Sequence, residues 1–125
     1  MLRTILAAGL ATSLALPATA QQAGRYDVQG SAAGGQAYRG TAELQPTGPD
    51  TWRITWRIAN DTGQGFGLVL PDRRTLAIGY VFGGQTGAIA YSIEADGSLR
   101  GIWTMGPGGG VGTEVLTPTG GPARK

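Results

Sequence analysis

Period-two alternation dominates this chain. Between positions 51 and 59, Trp52, Ile54, Trp56 and Ile58 alternate with Arg53, Thr55 and Arg57. Aromatic and β-branched residues at every second position describe a strand with one face in a core and the other in water. The same rhythm recurs over 26–28, 38–44, 65–70, 75–82, 88–94, 98–104 and 111–116. Within these segments Leu76, Ile78, Tyr80 and Phe82 share one face, as do Ile89, Tyr91 and Ile93, and Leu99 and Trp103 with Gly101 between them.

Turn chemistry separates the segments. Ala95-Asp96-Gly97 reads as a tight hairpin, because Asp-Gly supplies positive φ angles. Glycine-rich turns are expected at 31–35, 83–87 and 105–110, and polar loops at 46–50 and 60–63. None is long enough for a crossover helix, so sequential strands are expected to run antiparallel.

Eight such strands close most economically as an all-β, eight-stranded antiparallel up-and-down barrel. A two-sheet sandwich is the alternative. Gly40, Gly79 and Gly101 fall inside strands, where glycine permits coiling and makes room for opposing tryptophans. Trp52, Trp56 and Trp103 are expected inside. So many large inward residues favour a filled interior over a cavity. A faint repeat, Tyr38-Arg39-Gly40 and Leu99-Arg100-Gly101 each following a hairpin, is compatible with a duplicated hairpin unit.

The first 20 residues read differently. Met1-Leu2-Arg3 is a short basic start, 4–16 is largely apolar, Pro17 breaks the run, and Ala18-Thr19-Ala20 has the small-x-small form of a cleavage site. This is the anatomy of a secretory signal peptide, too short for a transmembrane anchor. The expected organisation is a signal peptide at 1–20, one barrel domain at 21–116 and a Pro/Gly-rich disordered tail at 117–125, with 21–24 disordered as well. The expected location is periplasmic or secreted, with a soluble product after cleavage at Ala20-Gln21.

Composition narrows the chemistry. The chain has 10 basic and 8 acidic residues, a formal charge of +2, and Arg3 would leave with the leader. Neither nucleic acid nor an anionic membrane is an expected partner at such a balance. There is no cysteine and no histidine. Disulfides are therefore excluded, as are the Ser-His triad, the commonest general base and most zinc, copper or haem ligand sets. Ser31, Ser92 and Ser98 have no histidine to activate them, and the only lysine is Lys125. No catalytic residue, cofactor or metal site is expected, and the chain reads as non-enzymatic.

Carboxylates are weighed separately, since a facing pair can hydrolyse a glycoside. Asp50, Asp61, Asp72 and Asp96 sit in turn segments, where aspartate caps backbone amides. Asp27, Glu43 and Glu94 fall on outward positions. Glu114 depends on the phase of its strand. If Gly112, Glu114 and Leu116 face inward, it enters the barrel and needs Arg100, a tyrosine hydroxyl or water as partner. If Val111, Thr113 and Val115 face inward, it is solvated. Charged side chains are rarely buried unpaired, so solvation is the expectation.

The glycine runs Gly63-x-Gly65-x-Gly67 and Gly106-x-Gly108-Gly109-Gly110-x-Gly112 lack the following helix that a phosphate loop needs, and are read as turns. Tyr26, Tyr38 and Tyr91 are candidates for a barrel-mouth surface, against ordinary packing with their hydroxyls in solvent. Arg53 and Arg57 mark a candidate outer binding face, and Glu114 completes the candidate set.

Taken in order, Tyr26-x-Val28-x-Gly30, Tyr38-x-Gly40-Thr41-Ala42, Trp52-x-Ile54-x-Trp56, Gly65-x-Gly67, Ala90-Tyr91-x-Ile93, Asp96-Gly97-x-Leu99-x-Gly101-x-Trp103 and Gly112-Thr113-Glu114-x-Leu116 resemble a group of small exported β-barrel proteins of Gram-negative bacteria. Some of these carry the label fibronectin-binding protein. The resemblance implies fold and compartment, and no binding residues. The architecture is also similar to avidins, without their positioned polar ligand set. The function expected first from this reading is a binding module for a protein or glycan surface, such as a fibronectin-like matrix protein; the alternative is a calycin-type carrier of a small apolar ligand inside the barrel.

Overall fold

The structure, a computed structural model, describes residues 22–119. It is a closed eight-stranded barrel in which every strand pairs antiparallel with the next. The strands are β1 (Gly24–Ser31), β2 (Ala37–Pro46), β3 (Thr51–Ile58), β4 (Asp61–Val69), β5 (Thr75–Phe82), β6 (Gln85–Ile93), β7 (Leu99–Met105) and β8 (Gly112–Pro118). Pairing of β1 with β8 closes the sheet and leaves no open edge.

Two hairpins are tighter than the sequence implied. Ile58 pairs directly with Asp61, so only Ala59-Asn60 turn, and 61–63 belong to β4 rather than to a loop. Phe82 pairs with Gln85 across Gly83-Gly84, whose φ angles are 60° and 82°. Two consecutive positive φ angles match the twist of the flanking strands, and glycine meets them without strain.

The ends of the domain are pinned. β8 runs through Pro118, and the Thr119 amide donates to the Arg25 carbonyl at 3.1 Å. At the other end Gly24 already belongs to β1. The Gln22 carbonyl accepts from the Tyr26 hydroxyl at 2.5 Å, and the Gln22 amide donates back at 3.0 Å. β1 thus begins at Gly24 and β8 runs to Pro118, past the domain end at 116 expected from the sequence. The expected signal peptide and the tail beyond 119 lie outside the described residues.

Large and small residues alternate around the interior. On β4 the inward positions 63, 65 and 67 are all glycine. Trp56, Ile54 and Trp52 of β3 pair with them on one side, and Phe82, Tyr80 and Ile78 of β5 on the other. The large side chains of two strands therefore meet over a third that has none. This is the role expected of Gly79, but Gly79 faces outward, with open space where a Cβ would stand.

The two ends differ. Tyr26, Leu44, Ile54, Leu76, Leu99 and Leu116 are fully buried and pack a dense core toward the end that carries the chain termini. That end's loops, 47–50, 70–74 and 94–98, hold Asp50, Asp72, Arg73, Arg74, Glu94 and Asp96. The opposite end is framed by the hairpins at 32–36, 59–60, 83–84 and 106–111, which contain no charged residue. Here the interior is hollow, so the filled barrel expected from the sequence describes only one half of the molecule.

Candidate ligand cavity at the open end

A cavity of about 220 Å³ opens between these uncharged hairpins. Its floor is formed by Trp56, Ile89 and Glu114, all buried. Tyr38, Tyr80, Phe82 and Trp103 form the walls, and Ala32, Ile58 and Met105 the rim. These residues come from β2, β3, β5, β6, β7 and β8 and the β1–β2 turn, which the barrel's up-and-down order brings to one mouth.

Glycine keeps the cavity open. Tyr38 pairs with Gly30, Phe82 with Gly63, Tyr80 with Gly87 and Trp103 with Gly112. In each pair the ring occupies the space where a Cβ on the facing glycine would stand. The rings thus settle against the wall instead of meeting on the axis. Hydrogen bonds tether their polar tips. The Tyr80 hydroxyl donates to the Thr104 carbonyl at 3.0 Å, and Trp103 Nε1 to the Thr113 carbonyl at 3.3 Å. Tyr38 meets Trp103 edge-on at 6.3 Å between centroids, as Trp56 meets Tyr80 at 5.3 Å, both favoured geometries for aromatic pairs.

Glu114 lies at the bottom. In β8 it is Gly112, Glu114 and Leu116 that face inward, and Glu114 is only 5% exposed. The solvated placement expected from the sequence is therefore reversed. Its cross-strand neighbours are Gly30 on β1 and Gly101 on β7, both inward, and the rings of Tyr38 and Tyr91 lie over these glycines with their hydroxyls on the carboxylate. Three donors satisfy the carboxylate. Tyr38 Oη donates to Oε1 at 2.8 Å. Trp56 Nε1 and Tyr91 Oη donate to Oε2 at 3.0 Å and 2.5 Å. Arg100, weighed as a partner from the sequence, faces outward and is exposed.

Burial raises the Glu114 pKa above its ordinary value, and the donated hydrogen bonds from Tyr91, Tyr38 and Trp56 hold it back. Desolvation and the negative charge of Glu114 push the hydroxyls of Tyr38 and Tyr91 well above the usual tyrosine range, and that of Tyr80 to about 12. These tyrosines therefore remain protonated donors at neutral pH.

The other candidate residues fall elsewhere. Tyr26, expected near a mouth, is 1% exposed and belongs to the dense end, with its hydroxyl on Gln22 rather than in solvent. The side chains of the dense half separate it from the cavity. Tyr91 lies beneath the cavity, and its hydroxyl turns to Glu114 instead of solvent. Tyr38 reaches the cavity wall. Arg53 and Arg57 are exposed on the outer face of β3, away from the cavity. Arg57 borders a mixed-charge depression outside the barrel, with Arg25, Asp27 and Glu43. Two of the turn aspartates cap backbone amides. Asp72 accepts from the amides of Arg74 and Thr75, and Asp96 accepts from that of Ser98. Sequence reasoning missed Trp56, Tyr80, Phe82 and Trp103 as site residues, because inward aromatic residues read as core. The signal was the glycine paired with each ring.

No family model and no curated protein matches the chain. Solved structures do resemble it. A redesigned β-barrel, mFAP0, bound to DFHBI, superposes with a TM-score of 0.65 at 22% identity, over 76% of this chain and 96% of that one. A second redesigned barrel, b11L5F_LGL, gives 0.69 at 17% identity, over 78% and 90%. A de novo designed fluorescence-activating β-barrel gives 0.64 at 16% identity, over 78% and 94%. At these identities the likeness is one of fold: this chain is a closed β-barrel of the same architecture.

Proposed function

We propose that this protein is a non-enzymatic binding barrel that holds one small, largely apolar molecule in its open end. The observation that carries the reading is the cavity itself: apolar walls, tethered rings and one group of convergent polar atoms at the floor. Such a combination is the usual form of a small-molecule site. A volume of about 220 Å³ suits one ring system with a short substituent, since an engineered cavity of about 150 Å³ takes benzene. The fold supports the reading, because mFAP0 is a barrel bound to DFHBI. Binding is favoured over hydrolysis because Glu114 is the one carboxylate lining the cavity among the described residues, whereas glycoside cleavage needs two. The surface-binding alternative would rest on Arg53 and Arg57, which make no side-chain hydrogen bond or ion pair among the described residues.

Native mass spectrometry of the protein purified from its native cells tests this. The expected result is a reproducible small-molecule adduct, lost when Ile58→Trp fills the rim. A bare protein mass, with no thermal shift from any of a panel of small apolar compounds, would overturn the reading.

A further inference from the structure

The cavity floor holds a buried carboxyl group that no cationic side chain among the described residues faces. Among the described residues Glu114 has three donors but no cationic partner, and the single ion pair there, Arg73 with Asp50, is exposed at the opposite end. A buried carboxylate without a counter-ion is costly unless hydrogen bonds and a partner offset it. Three neutral donors offset part of this. Both Tyr38 and Tyr91 aim their hydroxyls at carboxylate oxygens, and Trp56 Nε1 can only donate. That arrangement fits the ionised form.

One acceptor position is left over. A carboxylate offers about four lone-pair sites, two per oxygen. Oε2 accepts from Trp56 and Tyr91, whereas Oε1 accepts from Tyr38 alone among the side chains. Glu114 lines the cavity floor, so Oε1 retains acceptor capacity beneath the aromatic walls.

The surroundings favour one sign of ligand charge. Tyr38, Tyr80, Phe82 and Trp103 are electron-rich rings, whose faces attract cations. Among the described residues no arginine or lysine lines the cavity, and the hairpins at its mouth are uncharged. The titratable groups around Glu114 are tyrosines, all donors at neutral pH. Arg39 and Arg57 on β2 and β3 point outward from the barrel.

We propose that the ligand is a small hydrophobic organic cation, an amine or ammonium, seated among the aromatic walls with its positive group on Glu114 Oε1. This rests on the cavity being a ligand site and names the class of molecule it takes. The apolar substituent matters as much as the charge: it fills the walls and keeps water from the ion pair, which strengthens the attraction.

Three probes of similar shape and different charge test the proposal on the intact protein: 2-phenylethylammonium, 2-phenylethanol and phenylacetate. Quenching of Trp56 and Trp103 fluorescence reads binding. The ammonium is expected to bind about tenfold or more tighter than the alcohol, and phenylacetate weakest. In Glu114→Gln the ammonium preference should shrink about tenfold while the alcohol changes little. Gln retains an acceptor for Trp56 and Tyr91, and its folding is checked by circular dichroism. If it does not fold, the three-probe order on the natural protein still decides. An alcohol that binds as tightly as the ammonium would overturn the cation proposal and leave the cavity reading standing. Binding of none of the three would overturn both.

Discussion

Glu114 is the residue on which stability and the proposed binding meet. Replacing it with leucine roughly keeps the volume but leaves Trp56 Nε1 and the Tyr91 hydroxyl without an acceptor. Each orphaned buried donor costs about 1–3 kcal/mol. Urea denaturation should therefore show Glu114→Leu to be markedly less stable than Glu114→Gln. The charge itself has an opposite signature. Because its folded pKa is raised, the native state holds its proton at a pH where the unfolded state has released it. Stability from this group therefore rises as pH falls through the folded pKa, and is fully gained below the unfolded value. Asp72 and Asp96 have lowered pKa values, so their contribution is lost as pH falls through the folded pKa. The comparison that isolates Glu114 is the natural protein against Glu114→Gln. Chemical denaturation from pH 7 down to about pH 4 should show the balance moving toward the natural protein.

Strand phase is where the chain was hardest to read. In β3, Trp-x-Ile-x-Trp against Arg-x-Thr-x-Arg leaves one answer. In β8, Val111, Thr113 and Val115 alternate as plausibly as Gly112, Glu114 and Leu116, and the second set is inward only because of its register with Gly30 and Gly101. No local pattern contains that information. The glycines were misread for a related reason. Gly63-x-Gly65-x-Gly67 resembles a loop in isolation, yet it is a strand whose missing side chains seat those of its neighbours. This pairing predicts the effect of restoring a methyl group. In Gly87→Ala the new Cβ meets the Tyr80 ring and the Thr104 carbonyl, so ring and backbone must shift. The expected cost is about 1–3 kcal/mol from overpacking, with weaker ligand binding as Tyr80 turns into the cavity. Thermal melts and probe titration of the same variant measure both.

Across the whole barrel, the dense core and the proposed ligand cavity are divided between the two ends. The barrel architecture and most inward residues were legible from alternation and turn chemistry. The cavity was not, because its rings count as core until the glycine opposite each is known. The division has a direct consequence. Leu76 is fully buried in the dense half, and Leu76→Ala should cost about 2–5 kcal/mol through lost contacts and the void left behind. Phe82 is half-buried on the cavity wall, where one side of the ring already faces open space. Phe82→Ala should fall below the roughly 3–5 kcal/mol of a buried phenylalanine, while impairing binding. Trp56 belongs to both halves, as cavity floor and as donor to Glu114. Trp56→Ala should cost about 3–5 kcal/mol and abolish binding as well. Urea denaturation paired with ligand titration separates the three. If Phe82→Ala proved as destabilising as Leu76→Ala, the aromatic walls would be part of the folding core, and the open end would owe its rings to stability rather than to a ligand.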